Sequence, residues 1–381
     1  MKPIDLLAVI RESDYGPHVG VPDSLLRGYL HALGADHQLN VVAPNEGTAV
    51  AYAIGHFLRV GSPAVVYLQN SGLGNAINPL LSLAHDSVYA VPMLLVIGWR
   101  GHPETKDEPQ HRAQGAATER VLHAAGIGYL RVNKETAVDE VRRFLATARG
   151  TPAPQALLVR SNALAEALPP TSDRAESGGA IDPATVVRAC FRASSPGDAI
   201  VATTGFTARD VEKIHASEFS RHRRPFLCVG GMGHASSIAL GLATGPESAS
   251  ERPHVVCIDG DGSSLMHLGA WPWIASLRPE RFLHVVLVNG THESVGGQPA
   301  AARGVDFAAI ARAAGYTLVH TATGEHEVDR AVSDALRHRG PAMLVAYTRP
   351  RDRSPSPRPS QSPVQMRDAF MGWGQEDLEI S

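Results

Sequence analysis

The chain is expected to fold as α/β, in two domains that are each a parallel sheet doubly wound by helices. Two observations predict this. Short apolar runs rich in Val and Ile alternate with Ala/Leu-rich helical stretches, the pattern of parallel sheets covered on both faces. Near the middle of the 381 residues, Ala167-Leu-Pro-Pro-Thr-Ser-Asp-Arg-Ala-Glu-Ser-Gly-Gly179 has the proline, glycine and polar content of an interdomain linker. This length is enough for two separate cores.

In chain order, the first half offers strands at 17–20, 39–43, 64–68, 93–98, 127–131 and 155–159. The second half offers 198–202, 226–229, 254–258, 284–288, 316–320 and 342–346. The expected organisation is a domain over 1–166, a linker over 167–180, a second domain over 181–348 and a tail over 349–381. The tail opens with Arg349-Pro-Arg-Asp-Arg-Ser-Pro-Ser-Pro-Arg-Pro-Ser-Gln-Ser-Pro363, too rich in proline, serine and charge to pack, and is expected to be extended or disordered. One further short helix is expected over 364–373.

Bulk properties narrow the class. Net charge is −3 and no basic block is interleaved with aromatics, which argues against a nucleic-acid partner. No apolar run is long enough to span a bilayer, and Met1-Lys-Pro-Ile-Asp5 lacks the shape of a signal peptide, so the expected location is cytoplasmic, off the membrane. Cys190, Cys228 and Cys257 sit in apolar stretches without metal-ligand spacing and read as reduced core residues. The eighteen histidines are scattered rather than clustered.

The most informative chemistry lies at two strand ends. Val255-Val256-Cys257-Ile258 leads to Gly260-Asp261-Gly262-Ser263-Ser264, and Val285-Val286-Leu287-Val288 leads to Asn289. Two buried strands thus each deliver one hard oxygen ligand, beside glycines that let backbone approach a phosphate. In a doubly wound sheet ligands bind beyond the carboxyl ends of strands, and such oxygens suit Mg2+ shared with a cofactor's phosphates. Gly-Asp-Gly by itself is more often a plain turn and cap; the paired Asn289 reverses that weighting.

Together with Asn289-Gly-Thr-His-Glu-Ser-Val-Gly-Gly-Gln-Pro299, the segments Gly20-Val-Pro-Asp-Ser24, Gly98-Trp-Arg-Gly101, Lys106-Asp-Glu-Pro-Gln-His111 and Gly233-His-Ala-Ser-Ser237 closely resemble the phosphonopyruvate decarboxylase family of thiamine diphosphate enzymes, from about residue 5 to about residue 348. The resemblance implies a pyrimidine-binding domain followed by a diphosphate- and Mg-binding domain, with no middle domain. It implies thiamine diphosphate and Mg2+ as cofactors, with Asp261, the Asn289 side chain and the Thr291 carbonyl as metal ligands. Gly260, Gly262, Ser263 and Ser264 would hold the diphosphate. The family usually carries two asparagines where this chain has Val288-Asn289, and the ligand is the second of them.

Thiamine chemistry needs a buried glutamate against the pyrimidine ring. Glu46, in Pro44-Asn45-Glu46-Gly47-Thr48-Ala49, opens an Ala-rich helix after the second strand. On position alone, helix capping and catalysis are about equally good readings; the resemblance favours catalysis. Val229-Gly230-Gly231-Met232-Gly233 matches the segment that would offer the Gly230 carbonyl to the cofactor's amino group and Met232 as the wedge beneath its bend, although methionine also serves widely as core filler. The family more often has serine at position 231.

The substrate carries a carboxylate, a ketone and a phosphonate. Asp23 resembles the acid that related decarboxylases place near the reacting carboxylate, with Ser24 beside it. Lys106, Gln110, His111 and Arg112 read as a polar lid loop with phosphonate contacts, against the blander reading of a solvated loop. Glu293 and Ser294 are further substrate-binding candidates, and His234 and His292 are catalytic ones. The resemblance implies decarboxylation of 3-phosphonopyruvate in phosphonate biosynthesis, by a homodimer or higher homo-oligomer with active sites at the subunit interface. Sulfopyruvate decarboxylation and a non-catalytic binding or regulatory subunit are the alternatives.

Overall fold

A computed structural model of the chain describes residues 1–34, 40–164, 180–244, 253–351, 357 and 361–372. The expected linker up to residue 179 lies outside the described residues, as do 352–356, 358–360 and 373–381 of the tail. The chain divides into two compact units, Met1–Asp173 with Val295–Ala301, and Arg174–Ser294 with Ala302–Ser381.

The first unit contains β1 (His18–Gly20), β2 (Asn40–Val42), β3 (Val65–Gln69), β4 (Leu94–Trp99), β5 (Gly128–Val132) and β6 (Gln155–Arg160). They form one sheet in the order β2-β1-β3-β4-β6-β5, parallel throughout. Period-two alternation sorts the strands onto two apolar layers. Val66, Leu68, Leu95 and Ile97 face one layer, while Val65, Tyr67, Leu94 and Val96 face the other. Each such buried side chain contributes about 2 kcal/mol relative to exposure. The chain leaves β1 toward β2 on one side and returns to β3 on the other, so the strand order, though not the strand direction, reverses between β1 and β3.

The second unit contains β7 (Ala199–Ala202), β8 (Phe226–Leu227), β9 (Val255–Gly260) and β10 (Arg281–Val288). After the short strand β11 (Thr291–His292), and β12 (Gln298–Pro299) in the Val295–Ala301 segment of the first unit, come β13 (Leu318–Ala322) and β14 (Gly340–Tyr347) of the second. This unit's sheet runs β13-β14-β10-β9-β7-β8, again parallel, with its switch point between β7 and β9. All twelve expected strands are present, with ends shifted by a few residues. The three cysteines are free and buried.

The tail carries the expected short helix, Pro363–Met371, and departs from expectation at its start. Arg349 donates to Asp182 Oδ2 at 2.6 Å and, through its backbone N–H, to the Ile181 carbonyl at 2.9 Å. The helix Pro363–Met371 buries Met366 and Phe370, and the Arg223 guanidinium lies 4.1 Å from the Phe370 ring centroid. Composition foretold poor packing for 349–363, much of which lies outside the described residues, yet Arg349 ties the described start of that stretch to the second unit.

Candidate active site

Strands β9 and β10 run in register, with Leu287 opposite Gly260, so Asp261 and Asn289 emerge side by side at their carboxyl ends. The Asp261 Oδ2 accepts from the backbone N–H groups of Asn289 at 3.1 Å and Gly290 at 2.7 Å, and its Oδ1 accepts from Gly262 at 2.7 Å. Asn289 Oδ1 accepts from the Thr291 N–H at 2.9 Å. Gly290 makes the turn at φ 70°, in the left-handed region that favours glycine. Burial pushes the Asp261 carboxyl up to about 6 against the pull of the three amides. A cation would reverse that shift.

Among the described residues no three His, Cys, Asp or Glu gather as a metal site. The donors available at the strand ends are one carboxylate, one side-chain amide and the Thr291 carbonyl, all oxygens. That set fits a hard cation such as Mg2+ and does not suit a soft one.

These residues line a recess of about 90 Å³ in the second unit, with Thr203, Gly262 and Ser263. It opens at the β7/β9 switch point: Ser263 Oγ meets Thr203 Oγ1 at 2.9 Å and accepts from the Gly233 N–H at 3.1 Å. A Cβ on Gly262 would stand 2.9 Å from the His292 ring, so this position is held close because it is glycine. Burial pulls the His292 imidazole down to about 4, which keeps it neutral. Ser264 points elsewhere, donating to Asp259 Oδ2 at 3.2 Å. Asp259 lies 3.7 Å from His284 beneath the site, and His284 in turn meets the Tyr316 hydroxyl at 3.1 Å.

Met232 lines the same recess, and Gly260 caps the short helix that begins at Asp261. Gly230 precedes Gly231, whose φ of 63° supplies a conformational reason for glycine where serine was expected. His234 is exposed and stacks on His267 at 4.3 Å, while Ser294 is exposed beside Gly205. Glu293 is engaged by Arg351, which reaches back from the start of the tail.

In the first unit, the helix Glu46–Val60 is capped by Asn45, whose side chain accepts from the Thr48 N–H at 2.9 Å. Glu46 is therefore not needed as the cap. It is 5% exposed, and its Oε2 accepts from Asn75 Nδ2 at 2.8 Å. A Cβ on Gly72 would lie 2.3 Å from its Oε1. Burial raises its pKa against the Asn75 hydrogen bond.

Asp23 follows β1 and is 1% exposed. Its Oδ2 accepts from the Leu25 N–H at 3.1 Å, whereas its Oδ1 is buried without a partner. Burial pushes the carboxyl up to about 6, opposed by the charge of Arg100. Gly98 permits the approach, since a Cβ there would overlap Asp23 Oδ2 at 1.9 Å. Ser24 Oγ accepts from Arg100 Nη1 at 3.1 Å.

The expected lid is a loop only in part. Pro109 starts a helix running to Ala124, so Gln110, His111 and Arg112 occupy its first turns and Lys106 alone is in the exposed loop. Gly101 and Gly115 let the loop after β4 lie against this helix, a Cβ on Gly115 falling 1.8 Å from the Gly101 carbonyl. Burial, then the Arg100 charge, lowers His111 to about 4.

The structure thus gathers Asp261, Asn289, Thr291 and Ser263 in one unit, and Asp23 and Ser24 in the other, where Glu46 is separately buried. It leaves His234, Ser294, Lys106 and Arg112 exposed. Sequence reading assigned no role to Asn75, Arg100, Asp107, Asp259, His284 or Arg351. Arg100 and Asp107 stand inside motifs that were already informative; Asn75 and Arg351 carry no local signal.

Two family models match: the thiamine pyrophosphate enzyme N-terminal TPP binding domain over residues 5–135, and the C-terminal TPP binding domain over residues 212–346. Fold and site together define the class of thiamine pyrophosphate enzymes. Among curated proteins, the chain is similar to phosphonopyruvate decarboxylase of Streptomyces viridochromogenes, 33% identical over 96% of this chain and 93% of that one. It is similar also to phosphonopyruvate decarboxylase of Streptomyces hygroscopicus, 32% identical over 99% and 95%. Sulfopyruvate decarboxylase of Methanosarcina acetivorans is 29% identical over 71% of each chain. The chain belongs to the phosphonopyruvate decarboxylase family of thiamine pyrophosphate enzymes.

Proposed function

We propose that the chain decarboxylates 3-phosphonopyruvate to phosphonoacetaldehyde and CO2, with thiamine diphosphate and Mg2+, in phosphonate biosynthesis. The observation that carries the reading is the near full-length similarity to two phosphonopyruvate decarboxylases. The buried Glu46 and the Asp261/Asn289 oxygen pair support it. When bound, the cofactor supplies a nucleophilic carbon and an electron sink for the pair left behind by CO2.

The chain's own residues then have separable tasks. Asp261, Asn289 and the Thr291 carbonyl would hold the metal, and the Gly260–Ser264 turn the diphosphate. Met232 and the Gly230 carbonyl would support the bent cofactor. Glu46 would hold a proton against the pyrimidine ring, and burial, which raises its pKa, favours the protonated form that such a role uses. Asp23, with a carboxyl pushed up to about 6 and one unpartnered oxygen, is suited to deliver a proton to the carbon that has lost CO2. No described helix is long and apolar enough to cross a membrane, and a cytoplasmic location is part of this reading.

A homodimer with shared sites is also part of it. The helix that begins at Glu46 exposes Tyr52, Leu58 and Val60, and the stretch between β3 and β4 exposes Leu81, Val88 and Tyr89. Large apolar side chains left exposed on these elements would be covered by a partner subunit in such a dimer.

Sulfopyruvate decarboxylation is the second reading, supported by the likeness to a sulfopyruvate decarboxylase over 71% of the chain. The test is CO2 release from phosphonopyruvate, sulfopyruvate and pyruvate in parallel, with and without thiamine diphosphate and Mg2+. Strongest cofactor-dependent turnover on phosphonopyruvate is expected. Preference for sulfopyruvate would replace the substrate, and silence on all three would revive a non-catalytic role.

A further inference from the structure

Arg100 sits at the end of β4 with its guanidinium held by Asp107. Nε donates to Asp107 Oδ2 at 2.8 Å and Nη2 to Oδ1 at 2.5 Å, a two-point contact that fixes the plane of the fork. The Asp107 carboxylate is saturated by two more donors, the backbone N–H groups of Gly101 and Glu108, both at 2.8 Å. Burial would raise its pKa, but the Arg100 hydrogen bonds and the Gly101 amide outweigh burial and keep it ionised. Asp107 is therefore an orienting group with no oxygen lone pair to spare.

The guanidinium has five N–H groups, of which Asp107 takes two and the Ser24 hydroxyl a third. The other two meet no acceptor among the described residues. Ser24 accepts from Arg100, which leaves its own O–H to donate outward. The arginine side chain is 17% exposed, so this array of donors is neither sealed nor floating. Asp23 adjoins Ser24 in sequence and feels the Arg100 charge.

We infer that Arg100 and Ser24 together form the seat for the substrate's anionic substituent, a phosphonate oxygen accepting from the free Nη protons and the Ser24 hydroxyl. This rests on the proposed substrate class and deepens it by assigning the contact to a side chain outside the exposed Lys106 loop. It also accounts for Asp107: a bare arginine would sample many rotamers, whereas a clamped one presents its remaining donors in a single direction. Asn70 completes the support, accepting from the Arg100 N–H at 3.0 Å and donating to the Arg100 carbonyl at 2.9 Å.

The test compares wild type, Arg100→Lys and Arg100→Gln in two measurements: kcat and KM on phosphonopyruvate, and equilibrium binding of phosphonoacetate, an unreactive phosphonate. Circular dichroism and thiamine diphosphate affinity verify that the variants fold. For Arg100→Gln, KM and the phosphonoacetate dissociation constant should rise together by roughly 10- to 100-fold, as for loss of charged hydrogen bonds, with kcat changed far less. Arg100→Lys should fall between, and added guanidinium salt should partly restore Arg100→Gln. A fall in kcat with unchanged phosphonoacetate binding would overturn the assignment, as would wild type failing to bind phosphonoacetate at all. If wild type is inert on phosphonopyruvate, the substrate reading fails separately, and the phosphonoacetate comparison still decides the role of Arg100.

Discussion

Arg351 donates through Nη1 to Glu293 Oε2 at 2.6 Å and through its backbone N–H to the other oxygen of the same carboxylate. Its Nε also reaches Asp210 Oδ2 at 2.5 Å. Arg351 and Glu293 both line the recess that holds Asp261 and Asn289, and the side chains of the pair are only 15% and 11% exposed. The first residues of the tail therefore neutralise a carboxylate placed where a diphosphate is proposed to bind. Without the arginine, that carboxylate would repel the incoming anion.

Arg351→Ala should therefore weaken thiamine diphosphate binding by about 10-fold or more, since removing one partner of a largely buried pair leaves the other uncompensated. Calorimetric titration at fixed Mg2+ reads this directly. Double replacement of Arg351 and Glu293 by Ala and Gln should recover much of the loss; if it recovers none, charge balance is not the cause.

Glu46→Gln keeps the shape of the side chain and removes the ionisable proton. Turnover should drop by roughly 10²- to 10⁴-fold, the range for a positioned acid–base group, with cofactor affinity little changed. Asn75→Ala removes the donor that favours the Glu46 carboxylate, so the limb of the pH–rate profile that reports Glu46 should move to higher pH. An unmoved profile would separate Asn75 from Glu46.

Gly72→Ala places a methyl group where the Glu46 carboxyl now lies, 2.3 Å from Oε1. Both are held by buried backbone, so the carboxyl must turn away. Expected is a loss in kcat/KM of at least about 10-fold, on the scale of a misplaced catalytic group, with thermal stability reduced by roughly 1–3 kcal/mol. Wild-type kinetics in Gly72→Ala would show that the carboxyl position is not critical.

Asp23 should make stability depend on pH. Its carboxyl titrates near 6 in the folded chain against an ordinary value of 3.8. Between those values the folded state binds more protons than the unfolded state, so stability falls as pH rises through the window, and the cost is complete above it. Asp23→Asn removes that cost. In cofactor-free protein its free energy of unfolding, from urea titration, should exceed that of wild type at pH 7 by up to ~3 kcal/mol, and the difference should shrink toward zero below pH 4. A difference independent of pH would rule out this account.

Shared sites predict complementation. Glu46→Gln and Asp261→Ala proteins, each inactive, should regain activity when mixed under conditions of subunit exchange. For equal amounts exchanging freely in a two-fold dimer, roughly a quarter of the sites would pair an intact Glu46 with an intact Asp261. No regain despite demonstrated exchange would place both residues of each site in one chain.

The sequence by itself determined the alternation of strands and helices, and with it both parallel sheets, because period-two burial on two-faced strands leaves long apolar runs that no helix packing requires. It also marked Asp261, Asn289 and Glu46 as candidates, because strand ends beside glycine and the first turn of a helix are local features that a linear reading can find. Other features were decided by tertiary structure alone. Whether Glu46 caps its helix or turns inward depended on Asn45 taking the cap and on Asn75 arriving from a different helix 29 residues on. The Arg100 fork acquired its direction from Asp107 and Ser24, the latter 76 residues away. Arg351 met Glu293 across 58 residues of chain from a tail whose composition argued against packing. Such partners are set by which loops converge at the carboxyl ends of a sheet, and that convergence follows from strand order, which no local pattern of residues encodes.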